Sequence, residues 1–496
     1  MTWQNDVNKT CRRVGRDLPT IDLGSRRELF VDDYLIDRMD GVRLSLQQPR
    51  DEGTVFWFDR PWEGRWAGYF TVIKDGDTFR LYYRGKPTPQ NAGVPDEITC
   101  YAESSDGIEW KRPSLGIVDI KGSTDNNAII GPESPDVRHN FTPFLDTRPD
   151  IDPSERFKAL GGLFDHDRRD ATTHGLLLYG SADGIHWKQL HNEPVIDQSH
   201  RGPLLTDTSS IPTFWSEAEE RYVCYLRDWI GDPKRPGSAG TIRWIGRTTS
   251  PDLIEWKSVV KMQYEPAEHL YTSNVQPYFR APHIYIALPA RFMLGRQVVT
   301  PEEAKAADVH SDYIHDCSET VFMTSRGGQT FDRTFREGFV RPGIGAKHWI
   351  SRTNYAAIGV VQTGEAEMSL YIQQESSQPT NQLRRYSLRL DGFASAKAPY
   401  AGGELLTKPF TFSGNRLFLN FATGAAGDVR VEIQGANSEP LSGYSLEDSR
   451  ELVGNYIERE VSWRVGPDLS KLVGQTVRLR FAMKDADLYA FRFRDQ

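Results

Sequence analysis

The sequence has little cysteine, no long apolar run and no basic cluster, and each deficit excludes a class of protein. Its four cysteines lie far apart and form no CxxC pair, so neither a zinc site nor a dense disulfide framework is predicted. No apolar run is long enough to cross a bilayer, and residues 1–24 lack the apolar core of a secretory signal. We therefore expect a cytoplasmic protein, although a signal removed beforehand would leave the same appearance.

The charge balance excludes polyanions as the main partner. The formal net charge is −8 at pH 7, and lysines and arginines do not cluster. Binding to nucleic acid or to an anionic membrane depends on concentrated positive charge. We expect a small-molecule or oligosaccharide partner, no nucleic acid and no membrane, and leave open whether the chain forms a homo-oligomer.

Turn-forming and aromatic residues are abundant. The chain has 42 Gly, 29 Pro, 12 Trp, 20 Tyr and 24 Phe, and few long windows show helical periodicity. This composition favours a turn-rich β protein over a helical one.

A short pattern, Ser-x-Asp-Gly-x-x-Trp, recurs along the chain. Its third position falls at Asp106, Asp183, Asp252 and, in a weaker copy, Gly327, and an aromatic residue follows four positions later in each copy. Aspartate and glycine supply turn geometry, and tryptophan packs well between layers. We interpret the pattern as a repeat marker with a structural role, the turn after the third strand of each repeat, and do not propose it as a site.

The marker sets the register of five repeats. Each repeat opens with a short apolar strand, and the five predicted opening strands cover residues 68–73, 140–145, 210–215, 274–279 and 354–359. Repeats of about four strands that cannot bury their own faces pack radially, which predicts a five-bladed β-propeller. After residue 403 the marker is lost and amphipathic strands alternate, which is typical of a β-sandwich. The predicted fold is all-β, with an N-terminal extension at 1–27, a propeller at 28–402 and a sandwich at 403–496.

The residues just before the opening strands are unusually polar. In propellers the first strands line the axis, and ligands bind where these strands begin. The candidates chosen on this basis are Glu63, His139, Asn140, Asp207, Tyr271, Asn274, His348, Trp349 and Arg352. Carboxylates can act as acid and base on a glycosidic bond, aromatic rings can stack on sugars, and amides can hold hydroxyls. The structural alternative is that Glu63, Asp207 and Arg352 form salt bridges between blades.

Four further residues are candidates for the same site. Third strands run in the same direction as first strands, so Glu319 and Glu367 should point to the same face, and the apolar run after Glu319 could raise its pKa. Asp33 interrupts an apolar strand and is either catalytic or a partner of a nearby arginine, and Arg84 either clamps a substrate group or is solvated. We take Glu63, Asp207, Glu319 and Asp33 as the catalytic candidates. No spacing diagnostic of a metal site occurs, so no cofactor is assigned, and an axial cation stays open.

The chain resembles the five-bladed propeller glycosidases, which include invertases, levanases and arabinanases. The resemblance is carried by residues 29–36 (LFVDDYLI), 61–63 (PWE) and 383–393 (LRRYSLRLDGF), and is greatest to uncharacterised bacterial proteins similar to the N-terminal domain of invertases. It implies a funnel-shaped axial pocket with carboxylates from the first three blades, of which Glu63 and Asp207 hold the first and third places. The second place falls at His139 and Asn140.

These observations together predict a glycoside hydrolase that cleaves a terminal or short-oligosaccharide linkage, including a furanosidic one. Two alternatives stay open. One is transfer to phosphate or to another sugar, with Arg84, His139 and Arg352 holding an anion. The other is a non-catalytic carbohydrate-binding propeller; a sialidase is disfavoured because five repeats are counted rather than six and no arginine triad is evident.

Overall fold

The computed structural model describes residues 19–88, 96–137, 139–164, 174–201, 209–231 and 240–495. Almost all of its regular structure is β-strand, which confirms the all-β class. The α-helices among these residues are the short α1 (Gln198–Arg201) and α2 (Pro301–Ala306). Four 3₁₀ turns lie at Pro153–Glu155, Ser311–Tyr313, Ala346–Trp349 and Ser470–Leu472.

The chain divides into two compact units, and the division does not follow the sequence order. The first unit combines the described residues of Met1–Ser45 and Ser395–Gln496, and the second is Leu46–Ala394. The strands near the N-terminus are β1 (Ile21–Asp22), β2 (Glu28–Leu29), β3 (Ile36–Asp40) and β4 (Arg43–Leu46). The single strand expected over 28–36 is therefore interrupted.

The second unit begins with β5 (Arg50–Trp57) and three four-stranded antiparallel sheets. The first sheet contains β6 (Gly68–Asp75), β7 (Thr78–Gly85), β8 (Ile98–Ser104) and β9 (Ala128–Ile130). The second contains β10 (Thr142–Leu145), β11 (Phe157–Leu163), β12 (Gly175–Ser181) and β13 (Lys188–Gln189). The third contains β14 (Thr213–Ser216), β15 (Arg221–Ile230), β16 (Ile242–Ser250) and β17 (Val260–Lys261).

The fourth repeat contains more strands than the others. Its strands are β18 (Val275–Tyr278), β19 (Ala281–Ala287), β20 (Ala290–Met293), β21 (Cys317–Val321), β22 (Met323–Ser325) and β23 (Gly338–Val340). Strands β18, β19 and β22 form one sheet, and β20, β21 and β23 form another.

The sheet of the fifth repeat joins the two ends of the second unit. It contains β24 (Tyr355–Ala356), β25 (Val361–Gln362), β26 (Glu367–Gln374) and β27 (Gln382–Arg389). Its outer strand is β5, which pairs antiparallel with β27. The chain segment just after residue 46 is thereby hydrogen-bonded to the last strand of the same unit.

The first strands of the five repeats are β6, β10, β14, β18 and β24, and they contact one another in cyclic order. Strand β10 contacts β6. The N–H of Ile211, before β14, donates to Thr142 Oγ1 in β10. Asn274 bridges the next two steps, since it accepts from Ser210 at 2.7 Å and donates to the carbonyl of Ala356 at 2.5 Å. The N–H of Val72 in β6 donates to the carbonyl of Ile358 and completes the cycle.

The repeat marker is a turn, as predicted. Each full copy follows a third strand, and Oδ1 of Asp106, Asp183 and Asp252 accepts from the backbone N–H groups two and three residues later. The Tyr82 hydroxyl of the first sheet donates to the carbonyl of Gly184 in the second copy. Gly184 has a φ of +74°, and a Cβ there would lie 2.4 Å from that hydroxyl. The marker therefore fixes both a turn and a contact between sheets.

The first unit contains one ten-stranded sheet. Its C-terminal strands are β28 (Ala394–Ala398), β29 (Gly403–Thr407), β30 (Phe410–Thr411), β31 (Arg416–Gly435), β32 (Asn455–Glu460) and β33 (Val477–Arg494). Strands β31 and β33 are long, and each spans two of the amphipathic segments that follow residue 403. The apolar faces enclose one core that includes Phe30, Leu419, Trp463 and Phe481.

The sequence-derived domain limits differ from these units for a physical reason. Strands β1, β2 and β3 pair with β30, β33 and β29, respectively. The partners lie hundreds of residues away along the chain, and local patterns carry no information about such pairing.

Candidate functional site

A cavity lies where the first strands of the second unit begin. The side chains around it that matter for its chemistry are those of Trp66, Tyr69, Arg84, Lys86, Arg352 and Tyr355. The strands come together here because neighbouring sheets hydrogen-bond to one another at their first strands. Trp66 and Tyr69 at the start of β6 and Arg352 ahead of β24 line the cavity.

Five of the non-glycine residues with positive φ lie at the starts of first strands, and the others lie elsewhere in the chain. The five are Tyr69 (+55°), Asn140 (+51°), Asn274 (+44°), Arg352 (+64°) and Asn354 (+60°). Asparagine tolerates this region better than most residues, but tyrosine and arginine adopt it at a cost. Backbone strain of this kind concentrates at functional sites, which supports the assignment of the cavity as the candidate site.

Four side chains form a closed hydrogen-bonded ring beside the cavity. The carboxylate of Glu97 lies 2.9 Å from His139 Nδ1 and 3.1 Å from Arg84 Nη1. The amide of Asn140 donates to His139 Nε2 at 2.9 Å and accepts from Arg84 Nη1 at 3.2 Å. A guanidinium only donates, so the Asn140 atom facing Arg84 is the amide oxygen and the atom facing His139 is the amide nitrogen. His139 therefore accepts at Nε2 and donates to Glu97 from Nδ1. The ring holds Arg84 in one orientation.

The ring keeps Glu97 ionised although it is fully buried. Burial by itself would raise the pKa of this carboxyl, but His139, Arg84 and Lys86 outweigh it and lower the pKa to about 2. Glu97 is therefore a fixed negative charge and not a proton donor near neutral pH.

Lys86 has the opposite environment. It is 5% exposed, and burial first, followed by the charge of Arg84, lowers its pKa to about 8. Gly85 lets the chain pass close to its neighbours here, since a Cβ at this position would lie 2.8 Å from the carbonyl of Trp62. The two cations of this segment, Arg84 and Lys86, both reach the cavity.

One wall of the site is formed by tyrosine rings and guanidinium groups. Arg227, Arg243 and Arg352 lie 4.2, 4.9 and 5.9 Å from the centre of the Tyr271 ring. Arg84 lies 4.4 Å from the centre of the Tyr69 ring. The neighbouring phenols, Tyr271 first, raise the pKa of Arg352 above its ordinary value. The wall is aromatic and strongly positive.

The predicted residues fall into three groups, of which the first is at or beside the cavity. Arg84 and Arg352 line it, and His139 and Asn140 belong to the adjoining ring. Tyr271 lies under Arg352. Asn274 is buried and links three first strands, so its role is structural.

Glu63 lies in a buried ion pair and not in the cavity wall. It is 0% exposed, and its Oε1 accepts from Arg112 Nε at 2.7 Å and from the Tyr83 hydroxyl at 2.5 Å. Its Oε2 accepts from Arg112 Nη2 at 3.1 Å. Both oxygens are engaged, which is the salt-bridge alternative considered for this residue.

Glu319 and Trp349 line a second cavity together with Glu268 and Arg291. Arg291 Nη2 donates to Glu319 at 2.5 Å, and Arg291 Nη1 donates to Glu268 at 3.1 Å. The two carboxylates thus share Arg291, and Arg333 Nη1 also donates to Glu268 at 2.9 Å. His348 lies next to Trp349 in a 3₁₀ turn, and its burial lowers its pKa.

Three predicted residues lie elsewhere. Glu367 is at the start of β26 and pairs with Arg385 at 2.8 Å, whereas Gln373 on the same strand lines the cavity. At about 3.3 Å per residue the six intervening steps place Glu367 about 20 Å away. Asp33 is an exposed residue of the first unit. Asp207 lies outside the described residues.

Several residues of the site were missed from the sequence, among them Tyr69, Lys86, Glu97 and Tyr355. Lys86 is two residues after Arg84, so strand alternation puts both on one face. Glu97 directly precedes a third strand, which is the position that suggested Glu319. The signals were present, but charge next to a strand end is too common to single these residues out.

The described parts of the chain add neither a metal centre nor a membrane segment to the site. No group of three or more His, Cys, Asp or Glu side chains is placed to hold a metal ion in these parts of the chain. Over the same residues, no helix has the length and apolarity needed to span a membrane.

No family model and no curated protein matches the chain. Solved structures similar to it include one described as a glycoside hydrolase, with a TM-score of 0.44, 12% identity and coverage of 69% of this chain and 92% of the other. An N-acetylgalactosamine deacetylase from F. plautii has a TM-score of 0.42 and 11% identity, covering 71% and 97%. A beta-fructofuranosidase from Bombyx mori has a TM-score of 0.41 and 12% identity, covering 92% and 94%. Each TM-score is below 0.5, so we take neither the fold nor the activity of this chain from them.

Proposed function

We propose that the protein is a glycoside hydrolase whose substrate places a terminal sugar residue in the cavity at the first strands. We further propose that the second unit is a five-bladed β-propeller with this cavity on its axis, and that the first unit is a β-sandwich. The cyclic contacts of the five first strands support the propeller. The long paired strands β31 and β33, with their single apolar core, support the sandwich.

The observation that carries the proposal is the chemistry of the cavity wall. Tyrosine and tryptophan rings provide faces on which a sugar ring can stack, and Arg84 and Arg352 provide donors for its oxygens. The amide oxygen of Gln373 provides an acceptor, since its NH2 group already donates to Ala67 and Asn381. A concave site with aromatic faces and a few fixed polar groups is well suited to a carbohydrate.

Hydrolysis also needs carboxylates that can exchange a proton or attack the anomeric carbon. Among the described carboxylates, Glu97 is held ionised by its partners, and Glu63 and Glu319 are ion-paired. We therefore propose Asp207, which precedes the first strand of the third repeat along the chain, as a catalytic carboxylate. The proposal includes a furanosidic linkage as the bond that is cleaved, and a second carboxylate that acts together with Asp207.

The test is turnover on a panel of aryl and natural glycosides, with Asp207→Asn as the variant. We expect the wild type to cleave at least one class, and Asp207→Asn to lose about 10³-fold or more in kcat because a catalytic carboxylate is removed. Asp125→Asn, an exposed aspartate, is the matched control. Equal turnover of the Asp207 and Asp125 variants would remove Asp207 from the mechanism.

A second candidate, a non-catalytic carbohydrate-binding propeller, is favoured by one observation. None of the described residues that line the cavity is Asp or Glu. This candidate predicts that calorimetry detects sugar binding, whereas chromatography detects no cleaved product from any glycoside of the panel.

A further inference from the structure

We propose that the cavity at the first strands binds an oxyanion, such as a carboxylate of the substrate. Lys86, Arg352 and Arg84 hold this anion. The inference deepens the proposed function, on which it rests for the saccharide nature of the substrate. It specifies an acidic sugar rather than a neutral one.

Lys86 is the first reason. The residue is almost completely buried, it lines the cavity, and no hydrogen bond or ion pair of its ammonium group is found within the described parts of the chain. A buried charge without a partner is strongly unfavourable, and proteins that keep one usually supply its partner by binding. The missing partner of a buried ammonium is an anion.

Arg352 is the second reason. Its guanidinium lies 4.8 Å from the centre of the Tyr313 ring and donates to the Tyr313 hydroxyl at 3.2 Å. No carboxylate among the described residues pairs with it, and the residue is exposed at the cavity. A guanidinium held by aromatic rings retains its forked donor edge for a carboxylate or phosphate.

The charges around the cavity do not cancel. Among the described residues, three cations, Arg84, Lys86 and Arg352, are accompanied by one carboxylate, that of Glu97, which is already shared between Arg84 and His139. None of the described residues that line the cavity is acidic. The surplus of positive charge favours an anionic ligand.

Polar atoms without partners point to the same ligand. Trp66 Nε1, Arg84 Nε and the Tyr355 hydroxyl are buried and make no hydrogen bond, and all three residues line the cavity. Buried polar groups in folded proteins are rarely left unpaired. Trp66 Nε1 and Arg84 Nε can only donate a hydrogen bond, and the Tyr355 hydroxyl can also donate one. The complementary group is therefore an acceptor, such as an oxyanion.

Two sources could provide such an anion. An acidic sugar carries a carboxylate on its ring substituent, whereas a transfer reaction would bring free phosphate. Both present negatively charged oxygens to the same donors. The experiment separates them by comparing uronic acids, their neutral hexose counterparts and inorganic phosphate.

The test is isothermal titration calorimetry at pH 7 and low salt with galacturonate, glucuronate, galactose, glucose, phosphate and sulfate. We expect a uronate to bind about tenfold or more tightly than the matching hexose, because its carboxylate gains desolvated ionic contacts. Lys86→Met and Arg352→Met should each weaken uronate binding about tenfold or more. Lys86→Met should leave hexose binding within about twofold, whereas Arg352→Met should also weaken hexose binding, by a smaller factor, because Arg352 donates to neutral sugar oxygens as well. Lys257→Met, an exposed lysine of the same unit, should change neither.

The pH gives a second readout. Lys86 faces Arg84, Arg352, Glu97 and Tyr271, and in the free protein it loses its proton at about pH 8. Uronate affinity of the wild type should therefore fall between pH 7 and pH 9. The affinity of Lys86→Met should be flat over this range.

The outcomes are distinct. Binding of phosphate or sulfate without discrimination between uronates and hexoses would keep the oxyanion site and assign it to a free anion. Equal binding of uronates and hexoses with no binding of phosphate or sulfate, or Lys86→Met and Arg352→Met matching Lys257→Met, would overturn the inference. Arg352 is exposed, so its substitution tests the site even if the Lys86 variant fails to fold.

The inference and the proposed function fail separately. Asp207→Asn should retain uronate binding, since binding needs no catalysis. Uronate binding without cleavage of any glycoside would overturn the hydrolase alone. Cleavage of neutral glycosides without binding of any anion would overturn the anionic subsite alone.

Discussion

The imidazole Nδ1 of His139 lies 2.9 Å from the carboxylate of Glu97, and both side chains are buried. Neither residue opens directly onto solvent, yet together they orient Arg84 through Asn140. The pair therefore fixes the orientation of Arg84 in the cavity wall. Its loss should lower the free energy of unfolding and, through Arg84, weaken ligand binding.

Glu97→Gln should destabilise the protein markedly. The substitution removes the charge that balances Arg84 and leaves His139 facing an amide, which in buried ion pairs costs about 3–5 kcal/mol. The free energy of unfolding from urea titration at pH 7 is the measurement. Glu109→Gln, at an exposed position, is the matched control.

The pH dependence of the same variant has a defined sign. The pKa of Glu97 is about 2 in the folded protein and 4.5 without these partners, so its stabilising contribution is complete above pH 4.5 and is lost as the pH falls toward 2. The difference in unfolding free energy between wild type and Glu97→Gln should shrink over that window. A constant difference would contradict the assigned charge state.

Lys86→Met should stabilise the ligand-free protein. The buried ammonium has no partner among the described residues, and its pKa of about 8 against an ordinary 10.5 corresponds to a penalty of about 3 kcal/mol at pH 7. The penalty is complete below pH 8 and disappears as the pH rises to 10.5, because the unfolded chain binds the proton more tightly over this range.

Chemical denaturation from pH 7 to pH 10 checks this expectation. The stability of the wild type should approach that of Lys86→Met as the pH rises, and Lys257→Met should show no such trend. Destabilisation by Lys86→Met at pH 7 would mean that Lys86 has a counter-charge in the free protein.

Glu63→Gln should act on stability rather than on chemistry. Burial and the adjacent carboxylate raise the pKa of Tyr83, so its hydroxyl stays protonated and donates to Glu63. Removing the charge leaves Arg112 without its partner, and we expect a loss of about 3 kcal/mol. Turnover should fall only as far as the folded fraction does. A larger fall, measured where circular dichroism shows full folding, would restore a catalytic role.

Asp183→Ala should weaken the repeat marker without changing the site. Oδ1 of Asp183 accepts from the N–H groups of Ile185 and His186, at 2.9 and 2.8 Å. Loss of these capping bonds should reduce the free energy of unfolding by about 1 kcal/mol. Asp125→Ala is the control in urea titrations, and ligand affinity should be equal in both variants. A change in affinity would show that the marker contributes to binding.

The local patterns of the sequence identified the strands of the second unit well. The predicted opening strands at 68–73 and 274–279 correspond to β6 and β18, and the markers at Asp106 and Asp183 are the turns expected. Strand alternation and turn chemistry are properties of neighbouring residues, so a single sequence carries them.

Which side chains pair with one another could not be predicted from the sequence. Nothing local indicates that Glu63 pairs with Arg112, that Glu319 pairs with Arg291, or that Lys86 pairs with no described residue. These facts depend on which segments meet in space, and a carboxylate is catalytic or structural according to those partners.

The sequence by itself determined the all-β class and the turns that the repeat marker forms, because these follow from patterns within a few residues. The tertiary structure alone decided that strands near the N-terminus belong with the C-terminal unit, that Glu97 and His139 brace the cavity, and that its wall carries an excess of positive charge. Pairing across hundreds of residues, burial and the balance of charges arise only when the chain is folded, since each depends on contacts that are distant in sequence.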